Sequence, residues 1–233
     1  IRQSSSMPMA YWPDACSMKS TIWTASCSRT GWRKLNNENI NQVQTIRREL
    51  AMNDDFTIQD QILFEVSFDS ANRVGALEQL HLSKLELESN MFVGVREKEG
   101  YITEVVFGDL AKELIVEWLE MRKDDYDKLE TDSLLIVKHS GCWNPMKRNA
   151  IRSRMRKYGE IVGIPDYRIH CQRKSRLNLV YEETGDLALA AELGNHKSTE
   201  TTRAHYCKQR SKSDVMAKIN ALKSKSDNAI GGE

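Results

Sequence analysis

His170 and Arg173 stand three positions apart, so on a helix an imidazole and a guanidinium share one face, a turn apart. Leu193-Gly194-Asn195-His196-Lys197-Ser198-Thr199-Glu200-Thr201-Thr202 follows, then Arg203-Ala204-His205-Tyr206, adding further imidazoles and a phenol. Taken singly, the pair reads as a surface contact and the tyrosine as a core or surface residue. The charge around them says more. Lys138, Lys147, Arg148, Arg152, Arg154, Arg156, Lys157, Arg168, Arg173, Lys174 and Arg176 meet only Glu160 and Asp166 between 138 and 176, and the chain is basic again from Lys197. Residues 104–132 are acidic instead. Positive charge segregated in this way attracts a phosphate backbone, and the alternative is a set of solvated faces.

The elements that must carry these residues are mostly helical. Asn36 or Asn37 caps a helix with Ile40, Val43, Ile46 and Leu50 inward, and Thr57 caps a second with Ile58, Ile62, Leu63 and Val66. Asp69-Ser70-Ala71-Asn72 interrupts it, and Arg73 to Leu80 resumes as helix. Met91-Phe92-Val93 and Tyr101 to Phe107 flank Glu97-Lys98-Glu99-Gly100 as a β-hairpin. Asp109 to Met121 is an amphipathic helix, Leu134 to Val137 a strand, Gly141 to Pro145 a loop and Asn149 to Val162 a basic helix. Cys171 to Tyr181 and Leu187 to Leu193 are further helices, and Asp214 to Leu222 is the last. The fold class is α+β, mainly α-helical, with a small antiparallel sheet.

A length of 233 residues allows one large domain or two small ones. No apolar run approaches the roughly 20 residues of a membrane helix, and no secretory leader is read. The first residue is Ile1, as in a fragment or processed chain. Five cysteines, odd in number and without a CxxC pair, suggest neither a zinc site nor a disulfide framework and fit a reducing cytoplasm. No acidic cluster suggests a magnesium site. The net charge of +1 identifies no partner.

Together the pieces resemble the catalytic domain of the tyrosine recombinases, the phage integrases and Xer-type resolvases. That family carries a His-x-x-Arg box, a Leu-Gly-His turn and a nucleophilic tyrosine soon after. It places its first arginine after a Thr-Gly-x-Arg-like break, where Ser70-Ala71-Asn72-Arg73 stands here, and a lysine in a hairpin, where Lys98 stands. The likeness runs over about residues 36–225. It implies that Arg73 and Arg173 clamp a scissile phosphate, with planar forks suited to its oxygens. Lys98 would protonate the leaving 5′ oxygen. His170 would assist proton transfer or hold the phosphate, His196 would donate to a non-bridging oxygen, and Tyr206 would be the nucleophile. Neither metal nor cofactor is implied. Lys147, Arg148, Arg152, Arg154, Arg156, Lys174, Arg176 and Lys197 are the expected DNA-binding cations.

Four departures from the pattern leave alternatives open. Asn195 directly follows Leu193-Gly194, so either it or His196 fills the third box. Ala76 stands where many relatives carry an acid, so support for Arg73 must come from elsewhere. Arg96 replaces Lys98 if the turn is shifted. Residues 1–35 are too short for a helical core-binding domain, leaving a catalytic domain over 36–213 and a C-terminal helix and tail over 214–233, packed in cis or exchanged between subunits. The implied function is site-specific recombination of double-stranded DNA by a cytoplasmic homo-oligomer, the integrase of a mobile element or phage. The alternatives are a Xer-like chromosome or plasmid resolvase, a type IB topoisomerase-like enzyme, and a DNA-binding accessory protein with a degenerate site.

Overall fold

The computed structural model describes residues 38–97, 100–123, 131–164 and 166–205, with Lys212, Ser213, Met216 and Asn220. Segment 1–35 and most of the helix expected over 214–222 lie outside the described residues.

Helix α1 (Glu38–Met52) buries Val43, Ile46 and Leu50, the positions its period marks. Helix α2 (Ile58–Ser70) starts at Thr57, whose backbone N–H donates to the Asp60 carboxylate at 2.9 Å. A residue that accepts at a helix start satisfies donors the helix cannot. Ile62, Leu63, Phe64 and Val66 are all fully buried, so α2 is a central rod, packed by α1, helix α4 (Asp109–Arg122) and helix α6 (Ile169–Thr184). Each such side chain contributes about 1.5–3 kcal/mol. A rod buried on all sides must also neutralise its acids, and Arg47 of α1 reaches Glu65 with two bonds of 2.7 and 2.6 Å.

The chain leaves α2 through Ala71 at φ +50°. The helix expected from Arg73 to Leu80 is shorter: only Val74–Leu77 (α3) is helical. The Leu80 carbonyl is taken by the Leu134 N–H at 2.7 Å, and the Leu82 N–H by the Asp132 carbonyl at 2.7 Å, which pulls the chain out of helical register into pairing with a distant segment.

Strands β1 (Leu85–Glu86), β2 (Met91–Arg96) and β3 (Ile102–Val106) form an antiparallel sheet in that order. Phe92 and Val95 both face the core although they are three apart, an odd spacing that a regular strand would split between faces. A bulge between them, with Gly94 at φ +64°, restores the phase. The segment read as a loop from Gly141 to Pro145 is mostly strand. Strand β4 (Ile136–His139) pairs with β5 (Cys142–Pro145) around Ser140 and Gly141, whose positive φ values of 49° and 83° suit a tight hairpin turn. Helix α5 (Arg148–Ile161) turns Ile151, Met155 and Tyr158 to the core, where Tyr158 meets Phe64 edge-on with centroids 6.0 Å apart. Helix α6 ends at Gly185. Asp186 then accepts from the Ala188 and Leu189 N–H groups at 2.7 and 3.0 Å to start α7 (Leu187–Leu193), and α8 (Thr199–His205) follows.

Candidate active site

Arg173 lies on α6 with 1% of its surface exposed, among the largest fully buried side chains. A charge so buried must be densely hydrogen-bonded. Its Nη1 donates to the Ala71 carbonyl at 2.5 Å, its Nη2 donates to the Gly194 carbonyl, and Nη2 also lies 2.8 Å from His196 Nε2. One guanidinium therefore joins the break before Arg73 to the turn after α7. On the same rod, Ser67 Oγ donates to Gln172 Oε1 at 2.5 Å and locks α6 against α2.

These contacts fix the state of His196. A guanidinium has no acceptor, so Nε2 accepts from Arg173 and the ring carries its proton on Nδ1. That proton points at Thr202 Oγ1, 2.7 Å away on α8 and fully buried. Asn195 turns elsewhere: it adopts φ +48°, which asparagine tolerates, and donates from Nδ2 to Asn72 Oδ1 at 3.0 Å. Of the two residues, His196 is the one beside Arg173. Gly194 is closely approached: a Cβ there would lie 3.1 Å from both Leu177 Cδ1 and His196 Cε1, and those side chains would have to give by a few tenths of an ångström.

Arg73 sits at the N-cap of α3 with 41% of its side chain exposed, and its Nη1 donates to Glu97 Oε2. The Glu97 side chain is 4% exposed. Gln79 holds the hairpin to α3: its Nε2 donates to the carbonyls of Gly75 and Arg96 at 2.7 and 2.6 Å, and its Oε1 accepts from the Arg96 N–H at 3.1 Å. On the other side, Lys197 Nζ lies 4.7 Å from the Tyr101 ring centroid, a cation–π contact that brings the loop after α7 to the hairpin. The structure thus gathers Arg73, Arg173 and His196 around the α2–α3 break, next to the hairpin. His170 is exposed, one turn before Arg173. Lys98 and Tyr206 lie outside the described residues.

The cations read as DNA-binding divide. Lys147, Arg152, Arg156 and Lys197 are exposed, and Lys174 is half-buried. Arg148 makes a fork on Glu78 Oε2, with Nη2 at 2.9 Å and Nε at 3.2 Å, while its backbone N–H donates to Glu78 Oε1 at 2.6 Å. The Arg176 guanidinium stands 5.6 Å from the Phe68 centroid. Arg154 turns inward: its Nη1 lies 2.5 Å from Asp60 Oδ2, and the Tyr158 hydroxyl donates to Asp60 Oδ1 at 2.7 Å. Burial disfavours the Asp60 carboxylate charge, but bonds from Arg154, the Thr57 N–H and Tyr158 outweigh it and hold Asp60 below its ordinary pKa. Burial and then the Asp60 charge push Tyr158 well above the usual phenol value, so it remains a donor. Arg154 therefore secures α5 to α2.

Sequence reasoning missed Glu97, Thr202, Glu78 and the Ala71 and Gly194 carbonyls. The Glu97 signal was its place beside Lys98, and the Arg154 signal was its spacing of four from inward-facing Tyr158. Among the described residues, no three His, Cys, Asp or Glu side chains cluster as metal ligands, and no helix is long and apolar enough to cross a membrane.

Comparison with known proteins follows the same outline. The model of the phage integrase family matches residues 34–213. Tyrosine recombinase XerC of Shewanella sp. (strain ANA-3) is 29% identical over 169 residues, covering 70% of this chain and 54% of XerC. The chain therefore spans about half the length of the curated relatives it matches. The crystal structure of XerA recombinase superposes with a TM-score of 0.62 at 18% identity, over 78% of this chain and 63% of XerA. XerH, solved in a pre-cleavage complex with its difH substrate, gives 0.58 at 20% identity, over 73% of this chain and 49% of XerH. Both share the fold of this chain.

Proposed function

Because the chain belongs to the phage integrase family, we propose that it is a site-specific recombinase that cuts and rejoins double-stranded DNA through a phosphotyrosine. The observation that carries this reading is the buried Arg173 guanidinium, tied to the Ala71 carbonyl two residues before Arg73 and to His196. In the proposed step Tyr206 gives its phenol proton to His170, the phenolate attacks phosphorus in line, the bond to the 5′ oxygen breaks, and Lys98 protonates that oxygen. Negative charge gathers on the non-bridging oxygens, where Arg73 and Arg173 stabilise it more in the transition state than before. The 3′-phosphotyrosine retains the ester, so attack by a 5′ hydroxyl of another strand restores DNA without ATP. His196 takes part once it is freed from Arg173: protonated at Nε2, it donates to the phosphate oxygen that the arginine also holds.

Exposed Lys147, Arg152, Arg156 and Lys197 supply the sequence-independent attraction to the backbone. The chain acts as a homo-oligomer on DNA in the cytoplasm, assembled through the C-terminal helix. The XerC relatives favour a second reading, resolution of chromosome or plasmid dimers by the same chemistry. The test is capture of SDS-resistant protein–DNA product from a nicked duplex library with a randomised core. The native chain is expected to form it and Tyr206→Phe to form none. A product that survives in the variant refutes the nucleophile, and no product from the native chain refutes the enzyme. The recovered site then separates the two readings. A resolvase excises between direct repeats on one plasmid in preference to joining two molecules, and an integrase joins them.

A further inference from the structure

Arg73 needs an acid to orient it, and Ala76, buried one turn on, offers none. The acid is present on another element. Glu97 directly follows β2, its carboxylate accepts from Arg73 Nη1, and its side chain is 4% exposed beneath an arginine that is 41% exposed. Its backbone is fixed as well: the Glu97 N–H donates to the Tyr101 carbonyl at 2.7 Å, and the Glu97 carbonyl accepts from Gly100 at 3.2 Å. Among the described residues its Oε1 has no hydrogen-bond partner, which leaves Arg73 on Oε2 as the cation that this buried carboxylate meets. We infer that Glu97 is the positioning residue of the site, holding Arg73 from below. A carboxylate that mimicked phosphate would sit on the solvent side and cover the arginine; this one leaves the outer part of Arg73 open.

The inference rests on the proposed recombinase chemistry, and the experiment separates the two. Single-turnover cleavage is measured on the duplex recovered by covalent capture, and noncovalent affinity on the same duplex in the Tyr206→Phe background. If the native chain forms no covalent product, the recombinase reading fails on its own. Given that product, Glu97→Ala is expected to slow cleavage about 10²-fold, the scale of a misplaced catalytic group. Affinity should hold or tighten, because a negative charge leaves the phosphate site. Glu97→Asp should recover at least about tenfold of the loss. Glu97→Gln, which keeps the volume, carries the same expectation as alanine and replaces it if the alanine variant does not fold. Faster cleavage would mark the carboxylate as a competitor of phosphate and overturn the inference. So would an unchanged rate, or an affinity that falls in step with the rate.

Discussion

Replacing Arg173 by alanine should cost far more than catalysis. A clamp residue at a surface would leave the fold nearly untouched when removed. Arg173 is instead a strut, 1% exposed and bonded to carbonyls 102 and 21 positions away along the chain. Alanine would strip a charged donor from both the Ala71 and Gly194 oxygens. Each such bond is worth about 1.5–3 kcal/mol, so the expected destabilisation is about 3–6 kcal/mol. That is a large share of the roughly 5–15 kcal/mol that holds a domain together. In urea, with a slope near 2 kcal/mol/M, the unfolding midpoint should fall by about 2 M. Equilibrium unfolding followed by Trp118 and Trp143 fluorescence measures it. Arg173→Lys keeps one charge and can reach one carbonyl, so it should recover about half. A midpoint shift below about 0.5 M for the alanine variant would refute the strut.

Three further outcomes are expected. Ala71→Gly should raise the thermal midpoint, because Ala71 is held at φ +50° and relief of a left-handed alanine, less the extra freedom of an unfolded glycine, leaves about 0.5–1 kcal/mol; a lower midpoint would contradict it. Thr202→Val leaves the His196 Nδ1 proton without its acceptor, so single-turnover cleavage should fall while Thr202→Ser restores it; equal rates in both variants would dissociate the hydroxyl from His196. Asp60 has a folded pKa below its unfolded one, so the unfolded chain binds the proton first as pH falls. Its contribution is present above the ordinary carboxylate range and is lost through the acid range below it. Urea midpoints at descending pH should therefore fall less steeply in Asp60→Asn than in the native chain, and parallel slopes would remove Asp60 as the source.

Much of this arrangement is legible in the sequence wherever local physics decides it. The Thr57 cap, the three- and four-residue periods of α1 and α2, the basic helix α5 and the hairpin around Gly100 follow from side-chain types alone. What escaped depends on distant partners. Leu80 leaves its helix because Leu134 takes its carbonyl. Cys142 to Pro145 is a strand although its Cys142, Trp143 and Asn144 are exposed, so it shows no inside–outside alternation to read. Helix α8 contains Thr199, Glu200 and Thr201, all exposed, before the fully buried Thr202, and its sequence carries no apolar period. Arg154 looks like one more cation of a basic face until Asp60, ninety-four positions earlier, is seen to hold it. The candidate site divides in the same way. His170, Arg173 and His196 are visible from their spacing, whereas the Glu97 and Thr202 contacts exist only after folding.

The bond from Arg173 to the Ala71 carbonyl and the bond to the Gly194 carbonyl have a consequence for timing. Both must close before the guanidinium points in one direction, and Gly194 is among the last parts of the domain to leave a ribosome. A half-made polypeptide therefore carries Arg173 without the second carbonyl that orients it, and without His196 and Tyr206, which follow Gly194 in the chain. Orientation of this guanidinium is thus coupled to completion of the fold around the α2–α3 break and the turn after α7.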